Sequence, residues 1–359
     1  MYREIFKNLI FLMVIGLVAF SCKKDKPNPT DTTLPKDSTG RVLIVCEGSL
    51  GNGNSELSIY YPYKDSVFND VYKNANGQSL GDVFQSISKI KQQYFLCVNN
   101  SDKIVVLDAN TWQQKATIKV SKPRYLLDVG HNRAYVGSLF SNTIFVINTL
   151  TFSVEKEIKM PYQNAEGMIL KDGIAYVCCW DTACNKLYQI NTSTDSIIDS
   201  IQLAGNAPQN ILLDKENKIW VMAGNAYKAK DASLSRIDIS TKKIIQSFLF
   251  SKGVEAIKAS FNRHADTLYF LEVNYNGGTV NNGVFRMPIT SHSLPDKALI
   301  SCQANQYFWG LAIDPNSGCI YVGDPKGFVQ KGTVLIYTPL AQLLRQFNVG
   351  LGVGSFFFD

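Results

Sequence analysis

One short pattern of apolar and polar positions repeats along most of the chain. Seven segments of mainly apolar residues each end in a polar turn, and they begin at Leu57, Ile104, Ile144, Leu187, Leu234, Val284 and Val334. Successive segments begin 40 to 50 residues apart. An apolar stretch, usually with an aromatic residue, precedes each segment, and two further short apolar stretches follow it. Four short strands per period, without helical periodicity between them, predict one β-propeller blade per repeat.

The repeats therefore predict an all-β fold, a seven-bladed β-propeller of four-stranded blades, over residues 41–359 as one domain. The first repeat starts with its second strand, at Val42, and lacks an innermost strand. The chain ends with a spare strand, at 354–359. We expect this C-terminal strand to pair into the first blade and close the ring, because closure removes both open sheet edges.

The first 22 residues have the pattern of a bacterial lipoprotein signal peptide. Arg3 and Lys7 precede an apolar run at 9–20, and Cys22 follows a small residue. As a helix the run would cover roughly 18 Å, too short for a hydrocarbon core of about 30 Å. We expect cleavage before Cys22, lipidation of Cys22, and a flexible tether at 23–40 that links the propeller to a membrane.

Composition excludes several other classes. The chain has 36 basic and 30 acidic side chains, and its net charge of +6 is spread without a basic block, which argues against a nucleic-acid partner. Seven cysteines remain besides Cys22. Cys46, Cys97 and Cys178 fall at one repeat position and are expected to be small core residues. A disulfide between Cys179 and Cys184, which flank a hairpin loop, is left open by the sequence.

The sequence holds no pattern typical of catalysis or of metal binding. It has three histidines, and all of them, His131, His264 and His292, fall in predicted turns on one face of the disc. No nucleophile elbow, phosphate-binding glycine loop or zinc motif is present. We therefore expect a protein that is not an enzyme and that has no cofactor and no metal. Glu47, Glu166 and Glu255 are candidates to reach the central channel.

The opposite face gathers the loops between second and third strands and the segments that enter the innermost strands. These loops are tight in blades two to four and long in blades five, six, seven and one, which predicts a lopsided mouth. Their glycine, asparagine and aromatic residues suit contact with a ligand. The predicted ligand-binding residues are Asn52, Asn54, Asn99, Arg124, Tyr125, Glu166, Trp180, Gln209, Tyr227, Tyr275, Trp309, Asp324 and Phe328.

Several motifs on this face resemble those of a known family. They are EGSLGNGN at 47–54, LGDV at 80–83, PRY at 123–125, WGLAIDP at 309–315 and IYVGDPKGFVQKG at 320–332. In these residues the chain resembles the YncE-like surface propeller lipoproteins of Bacteroidetes, among which are proteins that capture vitamin B12.

The resemblance implies a function. The loop face would bind cobalamin or a related corrinoid, as a transported ligand and not as a cofactor, and pass it to a TonB-dependent outer-membrane transporter. It also implies an outer-membrane lipoprotein exposed at the cell surface. Two alternatives remain open at this stage: a scaffold or adhesion propeller that binds protein or glycan, and an enzyme such as a propeller lyase or a quinoprotein.

Overall fold

Seven four-stranded antiparallel sheets are arranged as blades around a central axis in the computed structural model, which describes residues 40–275 and 278–359. The predictions for residues 1–22 and for the tether at 23–40 lie outside the described residues, apart from Gly40. In the part of the chain that is described, no helix is long and apolar enough to cross a membrane. The all-β, seven-bladed prediction is confirmed.

The strands run outward from the axis within each blade. Blade 1 holds β1 (Val42–Cys46), β2 (Glu56–Tyr61) and β3 (Ser66–Phe68). Blade 2 holds β4 (Phe84–Ile90), β5 (Gln93–Val98), β6 (Lys103–Asp108) and β7 (Gln114–Lys119). Blade 3 holds β8 (Pro123–Gly130), β9 (Arg133–Ser138), β10 (Thr143–Asn148) and β11 (Ser153–Lys159). Blade 4 holds β12 (Ala165–Lys171), β13 (Ile174–Cys179), β14 (Lys186–Asn191) and β15 (Ser196–Gln202).

The same order continues to the end of the chain. Blade 5 holds β16 (Pro208–Leu213), β17 (Lys218–Asn225), β18 (Lys230–Asp238) and β19 (Lys243–Leu249); blade 6 holds β20 (Glu255–Phe261), β21 (Thr267–Val273), β22 (Gly283–Pro288) and β23 (Ile300–Ser301). Blade 7 holds β24 (Gly310–Ile313), β25 (Ile320–Asp324), β26 (Lys331–Tyr337) and β27 (Leu343–Leu351), and β28 (Val353–Phe358) follows.

The last strand closes the ring as the sequence predicts. β28 pairs antiparallel with β1, with Val42 opposite Phe358 and Ile44 opposite Phe356, so it is the innermost strand of blade 1. The residue after it, Asp359, holds this junction through its carboxylate. Arg41 Nε donates to Asp359 Oδ2 at 2.6 Å, and the Tyr94 hydroxyl donates to the same oxygen at 2.7 Å.

Apolar packing lies between blades, with one buried cluster at each of the seven blade interfaces. Adjacent blades approach each other closely, and this requires small residues at certain positions of the second strand of each blade. A Cβ on Gly137 of β9 would lie within 3.0 Å of the backbone carbonyl of Ala165 in β12. Cys46, Cys97 and Cys178 occupy the corresponding position in their blades and are fully buried, as predicted.

Two local features add to the sequence prediction. A short helix, Val71–Asn76, joins blade 1 to blade 2 although no helix was expected. Its buried Tyr72 packs into the core between these blades, where the outer strand of blade 1 is only three residues long. Among the described residues all seven cysteines are free thiols, Cys179 and Cys184 included, and these two side chains are hydrogen-bonded to each other.

Candidate functional site

A cavity of about 1570 Å³ opens on the loop face at the centre of the ring. Every blade contributes to its wall, because the innermost strands begin here and the loops between second and third strands surround them. Typical small-molecule sites measure roughly 300 to 1,000 Å³, so this cavity has room for a larger ligand. The three histidines lie in turns on the other face, between β8 and β9, between β20 and β21, and between β22 and β23.

Eleven of the thirteen predicted ligand-binding residues line this cavity. They are Asn52, Asn99, Arg124, Tyr125, Glu166, Trp180, Gln209, Tyr227, Tyr275, Trp309 and Phe328. Glu47 and Glu255 line it as well. All seven blades share one geometry, so the position of a residue within its repeat predicts whether it faces the cavity. Alternation along the innermost strands and position in the loops were therefore sufficient to predict these residues.

Asn54 and Asp324 do not line the cavity, since both side chains bond to groups of the surrounding loops. Asn54 Oδ1 accepts a hydrogen bond from the backbone N–H of Ser49 at 2.7 Å. Asp324 is buried, accepts from Gln306 Nε2 at 2.7 Å and forms an ion pair with Lys326. These two residues shape the loops on which cavity residues lie.

Arg124 lies at the start of the third inner strand, and its charge is compensated within the protein. Its Nε donates to Glu166 Oε1 at 2.8 Å, and its Nη1 donates to Gln85 Oε1. Gln85 in turn donates from Nε2 to the Tyr125 hydroxyl at 3.2 Å. Burial raises the pKa of Glu166, and the nearby guanidinium partly offsets that rise. The four side chains form one polar network across the innermost strands of blades 2, 3 and 4.

A second polar group joins blades 1, 6 and 7. Trp309 Nε1 donates to Glu47 Oε1 at 2.9 Å, and the ammonium of Lys258 lies 5.6 Å from the centre of the Trp309 ring. Burial raises the pKa of Glu47, while Lys258, the indole N–H and Arg124 act in the opposite direction. Lys258 was missed by the sequence analysis, because alternation along a regular strand does not place it in the channel.

Hydrogen bonds fix the end of β17 and the loop that follows it to the neighbouring blades and to the innermost strand of blade 5. Glu255 Oε2 accepts from the backbone N–H of Ala226 at 2.7 Å. Trp180 Nε1 and Gln209 Nε2 both donate to the Gly224 carbonyl, at 3.1 and 3.2 Å. Burial also raises the pKa of Glu255. The wall on this side is therefore a bonded framework that holds its shape without a ligand.

Aromatic rings line one side of the mouth. The ring centres of Trp309 and Phe328 are 5.8 Å apart, and those of Trp309 and Tyr275 are 6.5 Å apart. Further apolar side chains around the opening are strongly exposed to solvent: Leu50, Phe140, Tyr227 and Val329. The cavity thus combines flat apolar surfaces near its mouth with charged and amide groups on its inner wall, an arrangement that suits a large ligand with both apolar and polar parts.

The fold and cavity define the class of protein, a seven-bladed β-propeller with a ligand-sized cavity on its loop face. The chain belongs to a family described as a domain of unknown function, DUF5074, which matches residues 40–338. No curated protein matches the sequence.

Solved structures share the architecture at low sequence identity. A quinonprotein alcohol dehydrogenase-like protein (BT1487) of Bacteroides thetaiotaomicron superposes with a TM-score of 0.65 at 13% identity, covering 89% of this chain and 78% of its own. Hydrazine synthase of Kuenenia stuttgartiensis gives 0.58 at 16% identity, with coverages of 74% and 85%. A streptogramin B lyase structure gives 0.55 at 15% identity, with coverages of 73% and 82%. These similarities concern the fold alone.

Proposed function

We propose that this protein is a ligand-capturing propeller that binds a large ligand in its loop-face cavity. The observation that carries the proposal is the cavity itself: about 1570 Å³ in volume, lined by all seven blades, with an aromatic side and a charged inner wall. Hydrogen bonds within the wall hold these groups in place before a ligand arrives. Preorganisation of this kind lowers the ordering entropy that binding must overcome.

We further propose that the ligand is cobalamin or a related corrinoid. Support comes from where the motifs of the YncE-like resemblance lie in the fold. Residues from EGSLGNGN, PRY, WGLAIDP and the blade-7 loop all line the same cavity, although they are far apart in sequence. In this proposal Cys22 carries the lipid anchor at the outer membrane, and the propeller hands its ligand to a TonB-dependent transporter at the cell surface.

We propose binding without catalysis and without a cofactor. The carboxylates of Glu47, Glu166 and Glu255 each accept a hydrogen bond from a neighbouring group of the wall. In this proposal the three carboxylates hold the wall in place rather than exchange protons with a substrate. The histidines lie on the opposite face of the propeller, so none of them supplies a general acid or base at the cavity.

Calorimetric titration of the soluble propeller with cyanocobalamin and with dicyanocobinamide tests the corrinoid proposal. Trp309→Ala should weaken binding about thirtyfold, because truncating a central aromatic contact typically removes 2 kcal/mol or more. Phe68→Ala is the matched control, since Phe68 is an exposed aromatic residue on the outer strand of blade 1. The intact protein failing to bind either compound, or Trp309→Ala binding as tightly as the control, would contradict the proposal.

A second candidate function is docking of a protein partner on the rim, as in a scaffold or adhesion propeller. The exposed apolar side chains around the mouth favour it, since Tyr227 is 88% and Phe140 is 75% exposed. The Phe140→Ala/Tyr227→Ala double variant should lose co-elution with the TonB-dependent transporter encoded nearest to the gene, while its corrinoid affinity falls by much less than the thirtyfold or so expected for Trp309→Ala, because both side chains lie at the exposed edge of the cavity. Unchanged co-elution would argue against a rim contact.

A further inference from the structure

Lys258 has an unusual backbone conformation for its place in the fold. It lies within β20, the innermost strand of blade 6, with a φ of 56°. Among the seven innermost strands, all of which are described, it is the one non-glycine residue with a left-handed φ. The pairing register of β20 with β21 shifts at this point, between Ile257 and Ser260. A bulge of this kind turns a side chain away from the direction that regular alternation would give it.

The Lys258 side chain lines the cavity and, among the described residues, makes no direct hydrogen bond or ion pair. Its ammonium lies 5.6 Å from the centre of the Trp309 ring. Within residues 40–275 and 278–359, no oxygen accepts a hydrogen bond from Nζ and no carboxylate lies within ion-pair distance. The two nearby acids are engaged elsewhere, Glu47 with the Trp309 N–H and Glu166 with Arg124.

Glu47 is also held in position from the other side. A Cβ on Gly354 would lie within 3.0 Å of the Glu47 carboxylate, so β28 and the Trp309 N–H confine this side chain between them. Glu47 therefore keeps its hydrogen bond to the indole N–H, and its attraction to Lys258 acts across a gap longer than an ion pair. A half-buried ammonium that faces a cavity, on a backbone held in a sparsely populated conformation, is the arrangement expected where a charge is placed for a ligand.

We propose that Lys258 receives an anionic oxygen group, a phosphate ester or a carboxylate, on a ligand whose flat apolar part packs against Trp309. This inference rests on the proposed function, since it assumes that the cavity binds a ligand. An ammonium and an anionic oxygen form a charge-assisted hydrogen bond, which is stronger than a neutral one and stronger still out of bulk water. The indole face beneath Nζ keeps the ammonium in place by a cation–π contact.

Three flavins provide probes that share one planar ring system. Flavin mononucleotide carries a phosphate, carboxymethylflavin carries a carboxylate, and riboflavin carries neither. Fluorescence titration should give at least one of the anionic flavins a roughly tenfold tighter dissociation constant than riboflavin. Which anionic flavin gains the advantage distinguishes a phosphate site from a carboxylate site.

Variants of Lys258 separate a role in binding from a role in folding. In Lys258→Gly and Lys258→Gln the advantage of the anionic flavin should fall below about twofold, and Lys258→Arg should retain it. The melting temperature of Lys258→Gly should equal or exceed that of the parent protein, because glycine adopts a left-handed φ without strain. Loss of anion preference together with unreduced stability is a combination that a structural lysine would not give.

Three kinds of result would overturn the proposal. The first is equal affinity for all three flavins, or no flavin binding at millimolar concentration. The second is an anion preference that survives in Lys258→Gln, and the third is a marked fall in the melting temperature of Lys258→Gly. Titration with cyanocobalamin and dicyanocobinamide separates this failure from that of the corrinoid proposal. Corrinoid binding without any anion preference leaves the corrinoid proposal in place and removes the role of Lys258. Anion preference without corrinoid binding would retain the role of Lys258 and remove the corrinoid proposal.

Discussion

Asp359→Asn tests how far closure of the ring depends on one carboxylate. Asp359 accepts hydrogen bonds from Arg41 Nε at 2.6 Å and from the Tyr94 hydroxyl at 2.7 Å, and it forms an ion pair with Lys89. These partners lie before β1 and in blade 2, so the contacts tie the end of β28 to both. Asparagine keeps the shape of the side chain and removes its charge.

The size of the effect follows from these contacts. A hydrogen bond to a charged group contributes about 1.5 to 3 kcal/mol, and breaking a fully buried ion pair costs about 3 to 5 kcal/mol. The side chains of Asp359 and Arg41 are 10% and 23% exposed, so solvent screens the group in part. Asparagine also retains one acceptor. We therefore expect a loss of about 3 kcal/mol in the free energy of unfolding, or roughly 4 to 5 °C in melting temperature for a domain of this size.

Urea unfolding followed by tryptophan fluorescence measures this loss. Trp112 stacks on Tyr94 with ring centres 5.3 Å apart, so it reports directly on the junction. Asp172→Asn is the matched control, since the Asp172 side chain is 82% exposed and forms an ion pair with the neighbouring Lys171. An Asp359→Asn midpoint equal to that of the control would refute the role assigned to this carboxylate.

The same variant has a defined pH dependence. Burial opposes ionisation of Asp359, but hydrogen bonds from Lys89, Tyr94 and Arg41 outweigh it and lower the pKa. A carboxyl with a lowered pKa stabilises the fold above its unfolded-state pKa of about 3.9, and the contribution is lost as the pH falls through the folded-state value. The difference between parent and Asp359→Asn should be complete at neutral pH and shrink below about pH 4. A difference that stays constant down to pH 2 would contradict this reasoning.

Three further changes test the packing of the blades, each by urea unfolding. Gly137→Ala places a Cβ within 3.0 Å of the Ala165 carbonyl in the next blade and should cost about 1 to 3 kcal/mol; an unchanged midpoint would show that the blades separate freely. Asp214→Ala removes the buried acceptor of the Trp220 N–H and of the Arg236 guanidinium, and should cost about 3 to 5 kcal/mol, whereas a loss below 1 kcal/mol would contradict the pairing. Deletion of β28 should abolish cooperative unfolding of the ring, and a cooperative transition at the parent midpoint would show that closure is dispensable.

Most of the fold could be predicted from the repeat pattern, because each propeller blade is formed by consecutive residues of the chain. Its four strands follow one another in the chain, so apolar alternation and turn residues specify each blade without long-range information. Among the described strands, ring closure is the one pairing between strands far apart in the sequence. The missing first strand at Val42 and the surplus C-terminal strand predicted it. The helix at Val71–Asn76 was missed because its single buried side chain, Tyr72, compensates for a short outer strand, and no periodicity marks it.

The candidate site was predicted less completely, for reasons that differ between residues. Arg124 was placed at the cavity correctly, but its pairing with Glu166 and Gln85 depends on three blades meeting at the axis, which repeats alone do not describe. Asp324 bonds to Gln306 of the preceding loop and to Lys326 rather than facing the cavity. Lys258 was missed because its exposure to the channel comes from a bulge and a left-handed φ, a local irregularity superimposed on the repeat.

Closure of the ring and construction of the cavity depend on the same strand. β28 completes blade 1, and its Gly354 leaves the space in which the Glu47 carboxylate lies. That carboxylate accepts the N–H of Trp309, whose ring lies beneath Lys258 and beside Phe328. The sequence of β28 therefore has two roles. Its apolar residues pair and pack with β1, and Gly354 leaves room for the Glu47 side chain of the neighbouring loop. The cavity therefore cannot form its inner wall until the ring has closed, and ligand binding should report on closure of the fold as directly as unfolding does.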